Sequence, residues 1–445
     1  MIFSAPTIPK IKISEDWEFY RLKRLAKIRY GLGQPPREKD GGIPIIRATN
    51  IERGKIIRKD LTHVDPEDVP WDRNPLLKKD DIIVVRSGAY TGDSAIIPKN
   101  YEGSIAGYDM VVSPIAIEPR YLAFALLSNF VLFDQIYLFR IRSAQPHLNA
   151  EELGEILVPF PPRREQTAIA TFLDRKTAQI DRAVAIKEKQ IALLRERKQI
   201  LIQNAVTRGL DPDVPMRDSG VEWIGEIPGH WEVVANQTLF QERTERGREG
   251  LPLLSVSIHS AVSREELSDE ENTHGRVKIE DKSKYSLVKP DDIVFNMMRA
   301  WQGAIGAVQV DGMVSPAYIV AKPIGTIHAR FFEYQYRCSH FIQQMDRFSK
   351  GITDFRKRLY WHEFKRLVTV LPPFDEQTAI VAHIETQSQK IDHAIALQQQ
   401  QIEKLKEYKA TLINSAVTGK IRVPMDSEAE ALPGTPRNES HGDEN

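Results

Sequence analysis

Apolar residues recur on one stripe between residues 169 and 205: Ile169, Leu173, Ile180, Val184, Ile191, Leu194, Leu201 and Ala205, with Lys176, Lys187 and Lys198 in the intervening slots. The average step matches about 3.6 residues per turn, so the pattern predicts one long amphipathic helix. The stripe returns 211 residues further on as Ile380, Ile384, Ile391, Ile395, Ile402, Leu405, Leu412 and Ala416, and its polar slots again coincide, holding Gln387, Gln398 and Lys409. Polar residues in an apolar seam commonly fix register and partner at some cost in stability. The two seams are therefore expected to meet each other, the alternatives being that each helix docks on its own domain or seeks another chain.

The repetition extends beyond the stripes. Residues 165–207 and 376–418 agree at 19 of 43 positions without a gap, both opening on Glu-Gln-Thr-Ala-Ile and closing on Ala-Val-Thr. Upstream, Leu76-Leu77-Lys78-Lys79-Asp80-Asp81-Ile82 lies over Leu287-Val288-Lys289-Pro290-Asp291-Asp292-Ile293, and Trp17-Glu18 and Trp231-Glu232 open the two halves. An internal repeat of this kind governs the fold. It divides the chain into a first domain at 1–160, a helix at 161–209, a second domain with its entry linker at 210–371, a helix at 372–422 and an acidic tail at 423–445 expected to be disordered.

The helix boundaries carry physical signals. Pro161-Pro162 and Pro372-Pro373 block helix ahead of each start, Glu165 and Glu376 suit the first turn, and Asp375 is a candidate cap. Gly209 and Gly419 supply the stops. About 43 residues at about 1.5 Å each make a helix of about 65 Å, too long to be enclosed by a domain of this size. Two similar units related by a local two-fold would pack such helices antiparallel, with the domains at opposite ends of a rod.

Charge and composition exclude little but redirect the search. Lys plus Arg equals Asp plus Glu at 61 each, so any nucleic-acid function must rest on local patches. The single cysteine, Cys338, rules out a disulfide framework and reads as a buried small apolar residue in a reducing compartment. No run approaches the roughly 18 apolar residues of a membrane span, so the expectation is a soluble cytoplasmic protein without a membrane role.

Within each domain a β-rich run, 81–86 and 292–296, follows paired aspartates. Asp80, Asp81, Asp291 and Asp292 are the only paired carboxylates worth testing for an unrecognised enzyme, but Asp favours turns and these read better as turn-to-strand junctions. The loops that follow repeat in place and differ in chemistry: Arg86, Ser87, Tyr90 and Thr91 in the first domain, Asn296, Arg299, Trp301 and Gln302 in the second. Arg and Asn/Gln side chains discriminate base edges, so these are candidate DNA contacts, the plainer reading being ordinary surface hairpins. A second candidate set precedes each proline pair: Arg140, Arg142, Gln145 and His147, then Lys350, Thr353, Arg356, Lys357 and Arg358. Their cations could neutralise phosphates, or form a solvated basic face. Arg21, Lys23, Arg24, Lys27 and Arg29 make a third, weaker cluster.

No phosphate-binding loop, adenine-methylation motif, dinucleotide fingerprint or Cys/His metal spacing is present. Nothing assembles a nucleophile, base and oxyanion hole.

Leu157-Val158-Pro159-Phe160-Pro161-Pro162 leading into Glu165-Gln166, Val370-Leu371-Pro372-Pro373 leading into Glu376-Gln377, and Asp218 to Pro228 entering the second unit resemble the specificity (S) subunits of type I restriction–modification enzymes. The resemblance covers nearly the whole chain except the tail. It implies an α+β protein with two tandem α/β target recognition domains, each followed by a long helix, the two helices packing as an antiparallel coiled coil. It further implies that the domains read the two halves of a bipartite site in double-stranded DNA, and that the helices recruit two modification (methyltransferase) subunits carrying S-adenosylmethionine. Restriction (translocase/endonuclease) subunits would add ATP- and Mg-dependent cleavage, leaving this chain non-catalytic and without cofactor or metal. A coiled-coil adaptor that binds proteins and reads no DNA is the alternative.

Overall fold

The computed structural model describes residues 17–140, 147–258, 261–264, 284–351 and 357–424, with only the backbone of Arg140. The acidic tail beyond residue 424 lies outside them. Contacts divide the chain into two compact units, one running to Lys187 and resuming at Gln400, the other spanning Glu188–Gln399. The sequence-based division assigns each helix to a segment of its own. The contacts instead give each unit the first part of its own helix and the last part of the other.

In unit 1, β1 (Glu18–Arg21) pairs antiparallel with β6 (Leu157–Phe160), which closes the domain on itself just before the proline pair. A four-stranded sheet follows the order β2 (Ala26–Tyr30), β5 (Met110–Pro114), β3 (Ile82–Val84), β4 (Ser94–Ile96), all antiparallel. The apolar run at its centre is buried on both faces, as such runs demand: Ile82 and Val84 join one core, Ile83 and Val85 another. Helix α1 (Pro119–Leu127) lies in the first of these through Tyr121, Leu122, Ala125 and Leu126.

Unit 2 repeats the plan. Strand β7 (Glu232–Ala235) pairs with β12 (Val368–Leu371), and the sheet runs β8 (Phe240–Glu242), β11 (Tyr318–Pro323), β9 (Ile293–Asn296), β10 (Ile305–Ala307). Its core is more aromatic, with Trp231, Phe240, Phe331, Phe332, Tyr336, Phe341 and Phe364 together.

The aspartate pairs are turn residues. Asp80 and Asp291 both have φ of 70°, a left-handed position that Asp tolerates. Asp81 and Asp292 accept the amides of Lys78 and Lys289 at 2.9 and 2.8 Å. The free carboxylate oxygen of Asp81 then takes the Ser113 hydroxyl at 2.6 Å, whereas Asp292, fully buried, holds Arg243 by two bonds of 2.8 and 3.0 Å.

The two long helices are α2 (Arg163–Arg208) and α5 (Phe374–Val417), with α3 (Ala329–Tyr336) and α4 (Ser339–Phe348) between them. Helix α5 begins one residue before Asp375, so that residue sits inside the first turn and does not cap it. Gly209 and Gly419 stop the helices at φ of 76° and 69°. The first residues of each helix are tied to the domain ahead by the same three bonds. Trp17 and Trp231 donate indole N–H to Glu165 and Glu376 at 3.2 and 2.9 Å. The buried Gln166 and Gln377 accept the amides of Glu118 and His328 at 2.9 Å each, and donate to the carbonyls of Pro161 and Pro372 at 2.8 and 2.9 Å.

Within both units the helices run antiparallel. In unit 1, Asp181 pairs with Lys409 at 2.7 Å and Lys187 with Gln401; in unit 2, Asp392 pairs with Lys198 at 2.7 Å. Ile169, Leu173, Ile180, Ile191, Ile380, Ile384, Ile391, Ile402 and Leu412 are buried, and Val184, Leu194, Leu201, Ile395 and Leu405 are half-buried. The residues of both stripes are thus buried or half-buried on antiparallel helices, and Lys187, Lys198 and Lys409, in three of the polar slots, pair across to the other helix. Among the described residues no single helix is long and apolar enough to cross a membrane.

Two stability outcomes follow. Ile191→Pro removes a helical hydrogen bond at a buried seam position and is expected to cost about 3 kcal/mol or more, read as a lowered urea midpoint with reduced helical circular dichroism. Gln166→Leu strands the Glu118 amide and the Pro161 carbonyl, each at about 1–3 kcal/mol. Unchanged unfolding of that variant would show that the glutamine is not an anchor.

Candidate nucleic-acid interface

The strands β3 and β9 deliver their candidate loops to equivalent places, and in each unit a backbone bond ties that loop to the segment ahead of the proline pair. Leu148 N–H donates to the Arg86 carbonyl at 2.8 Å, and Leu359 N–H to the Met297 carbonyl at 2.8 Å. Loops about 60 residues apart in sequence are thereby one surface. Gly92 and Gly303 turn both loops at φ of 93°, and a Cβ on Gly92 would stand 2.7 Å from Ile136 Cγ2.

In unit 1 the Arg86 guanidinium carbon lies over two rings, 4.6 Å from the centroid of Tyr30 and 4.2 Å from that of Tyr108. Its Nη2 is 3.3 Å from His147 Nε2. Both tyrosines are close to half exposed, and Tyr90 is more exposed still. Ser87 pairs by a backbone bridge with His147. Thr91 is buried, and its hydroxyl donates to the Gly88 carbonyl at 2.8 Å, so it shapes the turn and does not face outward. Arg142 and Gln145, and the side chain of Arg140, lie outside the described residues.

Behind Arg86 sits Asp109, almost wholly buried, accepting the Arg86 amide at 3.2 Å. Burial pushes its carboxyl up to about 6, against the partial relief given by that amide and the Arg86 charge.

Unit 2 puts different chemistry at the same place. Lys357 Nζ stands 5.0 Å from the Trp301 ring centroid and pairs with Asp346 at 2.7 Å. The Trp301 indole donates to the Met298 carbonyl at 3.0 Å, and the Asn296 side chain accepts the Met298 amide at 2.9 Å, fixing the turn. Arg299 and Gln302 are exposed. Lys350 and Arg358 exchange two backbone bonds of 2.8 Å, and Lys350 reaches Glu363 at 2.5 Å. Thr353 and Arg356 lie outside the described residues.

Sequence reasoning missed Tyr30, Tyr108 and Asp109. Tyr30-Gly31 and Gly107-Tyr108-Asp109 place an aromatic beside a glycine at a strand end, a signal that could have found them. The third basic cluster is partly spent on structure: Arg21 and Lys23 both pair with Glu155, and Arg29 donates to the Leu76 carbonyl at 2.9 Å. Cys338 is buried with its thiol pushed up to about 12 by desolvation, which suits a packing residue.

The sequence pattern of the type I restriction modification DNA specificity domain matches residues 14–195. The chain is 25% identical to the type I restriction enzyme StySPI specificity subunit of Salmonella potsdam, over 78% of this chain and 75% of that one. It is 22% identical to the MjaVIII specificity subunit of Methanocaldococcus jannaschii, over 93% and 95%. Over these spans the chain is similar in sequence to specificity subunits of type I restriction enzymes. Its fold agrees with the HsdS subunit of Thermoanaerobacter tengcongensis, at a TM-score of 0.53 and 15% identity over 93% of this chain and 99% of that one.

The Asp109 carboxyl gives this interface a pH signature. Its folded value of about 6 lies above the ordinary range, so the folded state holds the proton more tightly. Stability from this group is present below about pH 4 and is lost as pH rises toward and through about 6. Asp109→Asn should therefore gain on the wild type across that window and hold a constant advantage above it. Parallel pH profiles in urea unfolding would contradict this.

Proposed function

We propose that this chain reads a bipartite, asymmetric site in double-stranded DNA, each unit contacting one half, and directs adenine methylation and DNA cleavage performed by partner subunits in the cytoplasm. The observation that carries the reading is the contrast at one equivalent surface. The same framework holds an arginine over two tyrosines in unit 1 and a lysine over a tryptophan in unit 2. Unlike readers on like scaffolds suit unlike half-sites.

Base-edge contacts are assigned to Arg86, Ser87, Tyr90, His147, Asn296, Arg299, Trp301 and Gln302, and backbone contacts to Lys350, Lys357 and Arg358. The paired helices are the recruiting surface for two modification subunits, which supply S-adenosylmethionine, with ATP and Mg used by restriction subunits.

Single-molecule sequencing of adenine methylation tests this, comparing cells that express the chain with its modification subunit against cells lacking the chain. The expected result is a new two-part asymmetric motif. Exchanging residues 1–160 with those of a relative should then change one half and leave the other. An assembled complex that adds no methylation would instead make the chain a protein adaptor.

A further inference from the structure

The Arg86 side chain is held as few surface arginines are. Its guanidinium carbon stands over two aromatic rings, which attract the cation and restrict its movement. Each support is itself fixed. Tyr30 ends strand β2 opposite Met110, and its hydroxyl accepts the Ala150 amide at 2.9 Å. Tyr108 stands next to the buried Asp109, and the Arg86 backbone is pinned on one side by that carboxylate and on the other by Leu148.

Held against two rings, and with Nη2 3.3 Å from His147 Nε2, the guanidinium keeps a narrow range of orientations for a further partner. A planar fork whose orientation is preset matches a coplanar pair of acceptors, and guanine O6 and N7 in the major groove are such a pair. A phosphate needs neither a fixed plane nor flanking rings, and in unit 2 the residue at the equivalent sequence position is Met297, the cation at that surface being Lys357 from another segment. The arginine fork is thus particular to unit 1, as a base-specific contact would be.

We propose that Arg86 reads a guanine in the half-site of unit 1, and that Tyr30 and Tyr108 are positioning residues that set the plane of its guanidinium. This rests on the DNA-reading role proposed above.

The test uses the full chain assembled with its modification subunits, and reads the methylated motif of the wild type beside Arg86→Lys, Arg86→Gln, Tyr108→Phe and Tyr108→Leu. The wild-type half assigned to unit 1 by domain exchange should contain a guanine. Arg86→Lys keeps the charge but loses the fork, and should relax that single position by roughly 5- to 150-fold in preference, with the other half unchanged. Arg86→Gln should relax it or turn it toward adenine. Tyr108→Phe keeps the ring and should keep the motif, while Tyr108→Leu should loosen the same base.

A uniform fall in methylation at every site with the motif intact marks a phosphate contact and overturns the proposal. So does an unaltered motif in both Arg86 variants, or a unit 1 half-site without guanine. If the assembled wild-type complex adds no two-part motif, the DNA-reading role itself falls. Should one Arg86 variant fail to assemble, the Tyr108 pair reads the same position through an exposed ring.

Discussion

Two buried glutamines hold this architecture together. Gln166 and Gln377 sit in the first turn of each long helix, and each ties the helix to two backbone groups of the domain before it. Backbone polar groups buried at a domain–helix junction must find partners. A side-chain amide, with a donor and an acceptor on one flat group, meets both demands at once. The neighbouring glutamates fix the direction of entry through Trp17 and Trp231. Once that joint is set, the apolar stripe of each helix has only one face left to cover it.

That face is the other helix, and the contacts show how complete the exchange is. Asp181 with Lys409 and Asp392 with Lys198 are the same pair seen twice, since each residue of one pair has its repeat counterpart in the other. The helix ends carry the exchange into the domains. Asn414 accepts the Phe130 amide at 3.0 Å in unit 1, and Gln203 accepts the Ser339 hydroxyl at 2.8 Å in unit 2. Each core is completed by residues from the far repeat: Leu412, Ile413 and Ala416 in one, Ala205 and Val206 in the other. The chain therefore closes on itself twice, and neither half has a whole core from its own segment alone.

Much of this was legible because it obeys a period or a local rule. The stripes, the glycine stops and the aspartate turns are patterns within a few residues, and the repeat shows each of them twice. What stayed hidden depends on contacts with no period. Tyr30, Arg86, Tyr108 and His147 are scattered over more than a hundred positions and meet only because β2, β3 and β5 are neighbours in the sheet. The loop residues are candidates from their chemistry, yet chemistry alone could not separate Thr91, which is buried in the turn, from Arg86, which is half-buried over two rings. The helix-end exchange was equally out of reach, since the sequence pairs the seams but says nothing of where their ends dock.

The balance of charge gives the last constraint. With 61 basic and 61 acidic residues the chain has no net charge to gather DNA, and part of its local positive charge is already paired, as at Arg21, Lys23, Lys198, Arg243 and Lys409. Non-specific affinity for DNA comes from neutralised phosphates and falls steeply with salt in proportion to their number. A protein that neutralises few has little of it, and so wastes little binding on wrong sequences. Among the described residues, Arg86 and Lys357 are set against aromatic rings, where orientation counts for more than charge. Under the DNA-reading role proposed above, such a surface discriminates better than it holds.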